Sequence, residues 1–192
     1  MMKKLITLIL VFTAVLTLVS CNKPSDGEIL TEYKALYEKA REVNKMIYGE
    51  GLPYDGEYDV SSLASPVYVT VSESCPYKTL EDIKTAVLSV YTEDYYNDVF
   101  KRVLFDGHTD DYATLHPRYK EEDGILKTDI AYKAFDSIVN GSVDLEAAKV
   151  KKSSSGAAEV VAPYYLKGVR QANDKTTMMI LTENGWRFDN LA

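Results

Sequence analysis

The sequence predicts an α+β domain in which N-terminal helices pack on a curved antiparallel sheet formed mainly by the C-terminal third. Three observations carry this. Ile29, Tyr33, Leu36, Tyr37, Ala40, Val43 and Ile47 recur at steps of three and four residues, which puts them on one face of a helix. Residues 148–152, 157–166, 176–183 and 186–191 are strand-like runs, set apart by Ser153-Ser154-Ser155-Gly156, by Gln171-Ala172-Asn173-Asp174 and by Asn184-Gly185. Helices first and a meander of strands afterwards is the pattern of an α+β fold.

The chain opens on a different texture. Met1-Met2-Lys3-Lys4 is a short positive head, residues 5–19 are almost wholly apolar, and Ser20 is a small residue before Cys21. That order reads as a secretory signal peptide, because the apolar run is too short for a membrane span and its flanks suit cleavage. Leu18-Val19-Ser20-Cys21 resembles the lipobox of bacterial lipoproteins. The resemblance implies that Cys21 is diacylated, becomes the mature N-terminus and anchors the protein to the cell membrane from outside the cytoplasm. The expected organisation is a leader over 1–20, a tether over 21–27 and a single domain over 28–192.

Charge narrows the partners. The chain has 22 Lys and Arg against 29 Asp and Glu, and losing Lys3 and Lys4 with the leader takes the net charge from −7 to −9. Such a domain is repelled by phosphate backbones and anionic headgroups, which argues against nucleic acid and against a second electrostatic contact with a membrane. Acylation of Cys21 leaves Cys75 as the one remaining thiol, so no disulfide framework exists and Cys75 is expected to be a small buried hydrophobe. Fifteen tyrosines against five phenylalanines and one tryptophan allow two readings. They form either a recognition surface or a core whose rings keep a hydroxyl for water or a partner.

Taken in order, Glu28 and Glu32 near the start of the first helix and Lys39, Arg41 and Lys45 towards its end suit the helix dipole. Gly49, Gly51 and Pro53 stop it. Residues 50–66 are loop-like, and Val67-Tyr68-Val69-Thr70-Val71 is a short strand. Thr79 with Asp82 three residues on marks a second helix, whose inner face is Ile83, Ala86, Val87, Val90 and Tyr91. Thr92 starts a third at once, running through Tyr96, Val99, Phe100 and Val103, so a bend is expected between the two. Residues 106–117 read as a polar loop and residues 118–129 as a hairpin turning at Asp123-Gly124, while residues 130–147 suit short helix or strand equally. Lys149, Lys151 and Lys152 beside the serine run read as a solvated hairpin tip, and Asn184-Gly185 is the strongest hairpin signal in the chain.

The amphipathic helix, the helix pair ending in YTEDYYNDVF, and the strands closing on TTMMILTENGWRFDN resemble the nuclear-transport-factor-two-like superfamily, with its cystatin-like cone. That resemblance implies three helices on a curved sheet. It also implies either a ligand pocket or an enzyme that moves protons with a Tyr or Asp in the cone mouth, here Tyr91, Asp94, Tyr95 or Tyr112. A weaker resemblance links the chain to secreted inhibitors of cell-wall DL-endopeptidases.

The densest polar cluster is Asp106-Gly107-His108-Thr109-Asp110-Asp111, with His116 after it. Asp106, His108 and Asp110 occupy positions 1, 3 and 5 of a calcium loop, but Asp111 stands where the glycine is needed and Pro117 where the bidentate glutamate belongs. Zinc lacks its further ligands at helical or hairpin spacing. Asp106, His108, Asp110 and Asp111 read first as a solvated acidic loop and, as a further reading, as a partner-contacting loop that enters a partner's cleft, with no metal, no cofactor and no catalytic residue assigned. No Gly-x-Ser-x-Gly, phosphate loop or His-Glu-x-x-His occurs. The expected function is a lipid-anchored, non-catalytic binding module for an envelope protein or glycan, in its sharpest form an inhibitor of a peptidoglycan hydrolase. The alternative is a cone that binds a small apolar ligand or houses an enzyme.

Overall fold

The computed structural model describes residues 23–59, 66–106, 108–109, 114–132 and 136–191. It is an α+β fold with antiparallel sheets. Helix α1 spans Asp26–Tyr48 and buries every position of the predicted apolar stripe, with Asn44, Met46 and Tyr48 in addition. It begins inside the stretch read as a tether because Ser25 and Glu28 form a capping box: the Glu28 amide donates to the Ser25 hydroxyl, and the Glu28 carboxylate accepts from the Ser25 amide. That geometry holds the Glu28 carboxyl below its ordinary range, chiefly through the Ser25 amide.

The far end of α1 is closed by side chains from distant sequence. A helix leaves its last carbonyls without intrahelical donors. Here the Met46 carbonyl accepts from the Tyr119 hydroxyl at 2.6 Å, and the Gly49 carbonyl from Arg118 Nη2 at 2.9 Å.

Strand β1 (Tyr68–Thr70) pairs with β5 (Ile125–Asp129), which pairs with β4 (Tyr119–Glu122). The β4–β5 hairpin turns where expected. Asp123 at φ 53° and Gly124 at φ 75° both sit in the left-handed region, as a two-residue hairpin turn requires. Lys120 and Lys127 clasp Glu122 across it and pull that carboxyl down to about 2. Helix α2 (Leu80–Leu88) starts on Thr79 with the predicted box to Asp82.

The bend at Thr92 is present and has a cause: the last strand is wedged into it. The Phe188 amide donates to the Val90 carbonyl at 2.8 Å, and the Thr92 amide to the Phe188 carbonyl at 2.9 Å. Beyond the bend the chain departs from the regular helix that the sequence predicts. A single turn, α3 (Glu93–Tyr95), opens into wider π-helical turns over Tyr96–Phe100 and Arg102–Asp106. Tyr96, Phe100 and Leu104, four residues apart, point inward along them.

The stretch read as a polar loop contains a short pair, β2 (His108–Thr109) with β3 (Thr114–Leu115). The ambiguous residues 130–147 divide into α4 (Asp136–Val139) and β6 (Gly141–Val143). In the last third, β7 (Lys149–Ser153), β8 (Ala157–Ala162), β11 (Lys175–Thr182) and β12 (Gly185–Phe188) form one sheet in the order β12-β11-β8-β7. Three details differ from the sequence reading. The 157–166 run is not one strand: Pro163 ends β8, and Tyr164–Leu166 is β9 of a different sheet, between β6 and β10 (Val169–Arg170). Lys167 (φ 50°) and Gly168 (φ 78°) make an unforeseen tight turn joining β9 to β10. In the final hairpin Thr182 pairs with Gly185, so Glu183-Asn184 occupies the turn, and Gly185 at φ 94° takes the left-handed conformation from which β12 continues.

The core lies between α1, α2, the π-helical turns and the four-stranded sheet. Tyr33, Tyr91, Phe100, Val160, Met179 and Phe188 are shut off from solvent there. Cys75 belongs to it, as expected for a small hydrophobe. Several of the tyrosines are core residues with anchored hydroxyls: Tyr91 donates to Asn44 Oδ1 at 2.8 Å, and Tyr119 to the Met46 carbonyl at 2.6 Å.

Candidate functional site

The place where the fold opens is set by Pro163. Without an amide hydrogen, proline cannot extend the β8 ladder, and the chain leaves the four-stranded sheet at that residue. Tyr164 then pairs with Val143 in the neighbouring sheet. Lys175, the first residue of β11, pairs with Ala162, the last of β8. Tyr164 and Lys175 thus flank the seam between two sheets. Helix α1 lies along it with Tyr37, Arg41, Asn44 and Lys45, a single stripe at steps of four, three and one.

The result is a cleft of about 190 Å³ lined by Tyr37, Ile138, Gly141, Val143, Tyr164, Lys175 and Leu191. A smaller recess shares Tyr37, Ile138 and Gly141 with it and adds Arg41, Asn44, Lys45 and Val139. Typical pockets for drug-sized ligands are about 300–1,000 Å³, so this one suits a small molecule.

Its charge runs against that of the chain. Arg41, Lys45 and Lys175 line the cleft and recess, and no Asp or Glu does so among the described residues. Arg41 approaches Glu38 at 4.0 Å and Lys45 meets Glu42 at 3.3 Å, one turn away on α1. Pairs as exposed as these contribute about 0–1 kcal/mol. Lys175 is different. It is half-buried and faces the Tyr164 ring at 6.0 Å. Among the described residues no carboxylate lies within ion-pair distance of it. Burial holds its ammonium below the ordinary lysine value. Tyr37 accepts the Val143 amide at 3.1 Å and, with burial raising its pKa, keeps its own hydrogen as a donor. The site therefore combines one uncompensated cation, one hydroxyl donor and an apolar and aromatic wall.

The sequence matches no protein-family model and no curated protein.

Nothing in the sequence singles out Tyr164 or Lys175, and the residues that it does single out lie elsewhere wherever they are described. Asp106 is exposed at the end of the second π-helical segment, close enough to Tyr96 to raise its pKa, although burial has the larger effect there. His108 falls in β2, while Asp110, Asp111 and Tyr112, like Cys21, lie outside the described residues. Among the described residues no group of acidic, His or Cys side chains is placed to hold a metal, and no helix is long and apolar enough to cross a membrane. Tyr91 and Tyr95, candidates for proton transfer in a cone mouth, are packed ring to ring at 5.6 Å and both rest on Phe100. The lysines of β7 occupy a sheet edge, where charge discourages pairing with another chain. Lys151 there meets Glu159 at 2.7 Å.

Proposed function

We propose that the protein is a non-catalytic binding module held outside the cytoplasm by a lipid on Cys21, and that its ligand is a small molecule seated in the Tyr37–Tyr164–Lys175 cleft. The observation that carries this reading is the half-buried Lys175 in a cleft with an apolar wall. An uncompensated charge costs stability where it sits, and a ligand that pairs with it recovers that cost on binding.

The competing reading, an inhibitor of a peptidoglycan hydrolase, draws on Asp106, His108, Asp110 and Asp111 as a contact loop. Of these the structure describes an exposed Asp106 and a paired β2, while Asp110 and Asp111 lie outside the described residues.

Two experiments test the proposal. Screening the 15N-labelled protein against a set of small aromatic and aliphatic fragments is expected to move the amides of residues 37–45, 138–143, 164 and 175 together. Shifts confined to other surfaces, or none at millimolar fragment, would remove the cleft from consideration. For the anchor, Cys21→Ala is expected to leave an unprocessed precursor or to release the protein to the medium, read by membrane fractionation. A variant that fractionates and migrates like the unmodified protein would falsify the lipid attachment.

A further inference from the structure

The arrangement of donors and walls in the cleft selects among small ligands. We infer that the ligand is an organic anion, a monocarboxylate on a flat or compact apolar body, with the carboxylate between Lys175 Nζ and the Tyr37 hydroxyl and the body against Tyr164, Ile138, Val143 and Leu191. The inference rests on the reading of the cleft as a ligand site and adds the chemical class to it.

Charge is the first reason. The protein carries more acidic than basic residues, yet the described lining of this cleft and its recess holds cations and no carboxylate. The surrounding acidic surface repels anions at long range, so an anion gains from this site only by direct contact, through hydrogen bonds that are shorter and stronger when one partner is charged. A cationic ligand would meet Lys175 and Arg41 with nothing to pair it. A neutral ligand would leave the Lys175 ammonium uncompensated in a site that the ligand itself makes drier.

The donors are also matched to one functional group. A carboxylate offers two oxygens that only accept, and Lys175 and Tyr37 supply an ammonium and a hydroxyl hydrogen. Tyr37 is held for this task. Its oxygen already accepts the Val143 amide at 3.1 Å, which fixes the ring against β6 and leaves the O–H as the group free to donate. Dimensions set the body. An apolar cavity of about 150 Å³ holds one benzene ring. A cleft of about 190 Å³ therefore has room for a ring or a short branched chain with its carboxylate, and not for a disaccharide or a peptide. Tyr164 offers a ring face to such a body, and Ile138, Val143 and Leu191 the aliphatic contacts.

The test compares benzoate with benzyl alcohol, which has a similar shape and no charge. Both are titrated into the purified protein and followed through the amides around the cleft. Benzoate is expected to bind about tenfold more tightly, the effect of one charge-assisted hydrogen bond. Lys175→Gln should bring benzoate down to the level of benzyl alcohol and leave benzyl alcohol unchanged, whereas Lys175→Arg, which keeps the charge, should retain most of the preference. Equal binding of the two probes to the unmodified protein would overturn the anion assignment and leave the cleft standing as a neutral-ligand site. A benzoate preference that survives in Lys175→Gln would overturn it as well, by placing the charge recognition on another residue. Failure of both probes to bind at tens of millimolar, with the amide spectrum of a folded protein, would overturn the cleft reading itself.

Discussion

Replacing Arg118 with methionine is expected to lower the unfolding free energy by about 2–6 kcal/mol, since two buried carbonyls lose their donor at about 1–3 kcal/mol each. Arg118 is 1% exposed, among the most buried side chains of the molecule, and it joins three parts of the fold. Its Nη2 donates to the Gly49 carbonyl at the end of α1, its Nη1 donates to the Asp129 carbonyl at 3.0 Å, and its guanidinium lies 4.4 Å from the centre of the Tyr132 ring. The position suits a cation, because the end of a helix carries partial negative charge. Methionine fills much of the volume but leaves both carbonyls without a donor. Lysine is expected to recover part of the loss, since a single ammonium cannot reproduce the planar fork that spans both carbonyls. Gly51 offers an independent check. It adopts φ 83°, and a Cβ there would stand 2.3 Å from Arg118 Nη2, so Gly51→Ala should destabilise by displacing the guanidinium. Denaturant unfolding reads all three variants through the midpoint at constant slope. A loss below about 1 kcal/mol for Arg118→Met would show that the guanidinium costs as much to bury as its bonds return.

Arg118 also shows where legibility ends. The sequence announces the hairpin that it opens, because Asp123-Gly124 is chemistry confined to neighbouring residues. It gives no sign that the same arginine closes a helix 69 positions earlier. The α1 stripe, the Thr79 and Thr92 caps and the Asp123-Gly124 turn all follow from spacing within a few residues, and all are present. The π-helical turns after Tyr95 lie where Tyr96, Phe100 and Leu104 pack into a core shared with Phe188 and Tyr91, contacts with distant sequence that local spacing does not announce. The cleft belongs to the same class. Pro163 is visible as a break, but which residues a broken strand places opposite one another depends on the sheet that each half joins. In the sequence Lys175 is only the edge of a loop, because its neighbours Ala162 and Tyr164 are brought to it by pairing and not by proximity in the chain. Asp106, by contrast, stands out through local density of charge, a signal that solvation alone can produce.

The second large effect is expected at Phe188, where Ala should cost about 3–5 kcal/mol. Its ring is fully buried, with its centre 5.7 Å from that of Tyr33 in an edge-to-face contact and 6.2 Å from that of Tyr91. Its amide and carbonyl are the two bonds that wedge β12 into the bend between Val90 and Thr92. The truncation removes ring contacts but keeps those backbone bonds, so the loss should reflect the cavity and scale with how little the surrounding rings can close in. Phe188→Leu, which retains most of the volume, should cost clearly less. The variant also separates stability from binding. From the Phe188 cavity the path to the cleft runs through Tyr91, whose hydroxyl is bonded to Asn44 in the recess wall. If the core only supports the site, the folded fraction of Phe188→Ala should bind benzoate within about twofold of the unmodified protein, a change of less than about 0.5 kcal/mol. A loss of tenfold or more in that folded fraction would mean that the Tyr91–Asn44 bond transmits core packing to the cleft, and that the site is set from within the core and not by the sheet seam.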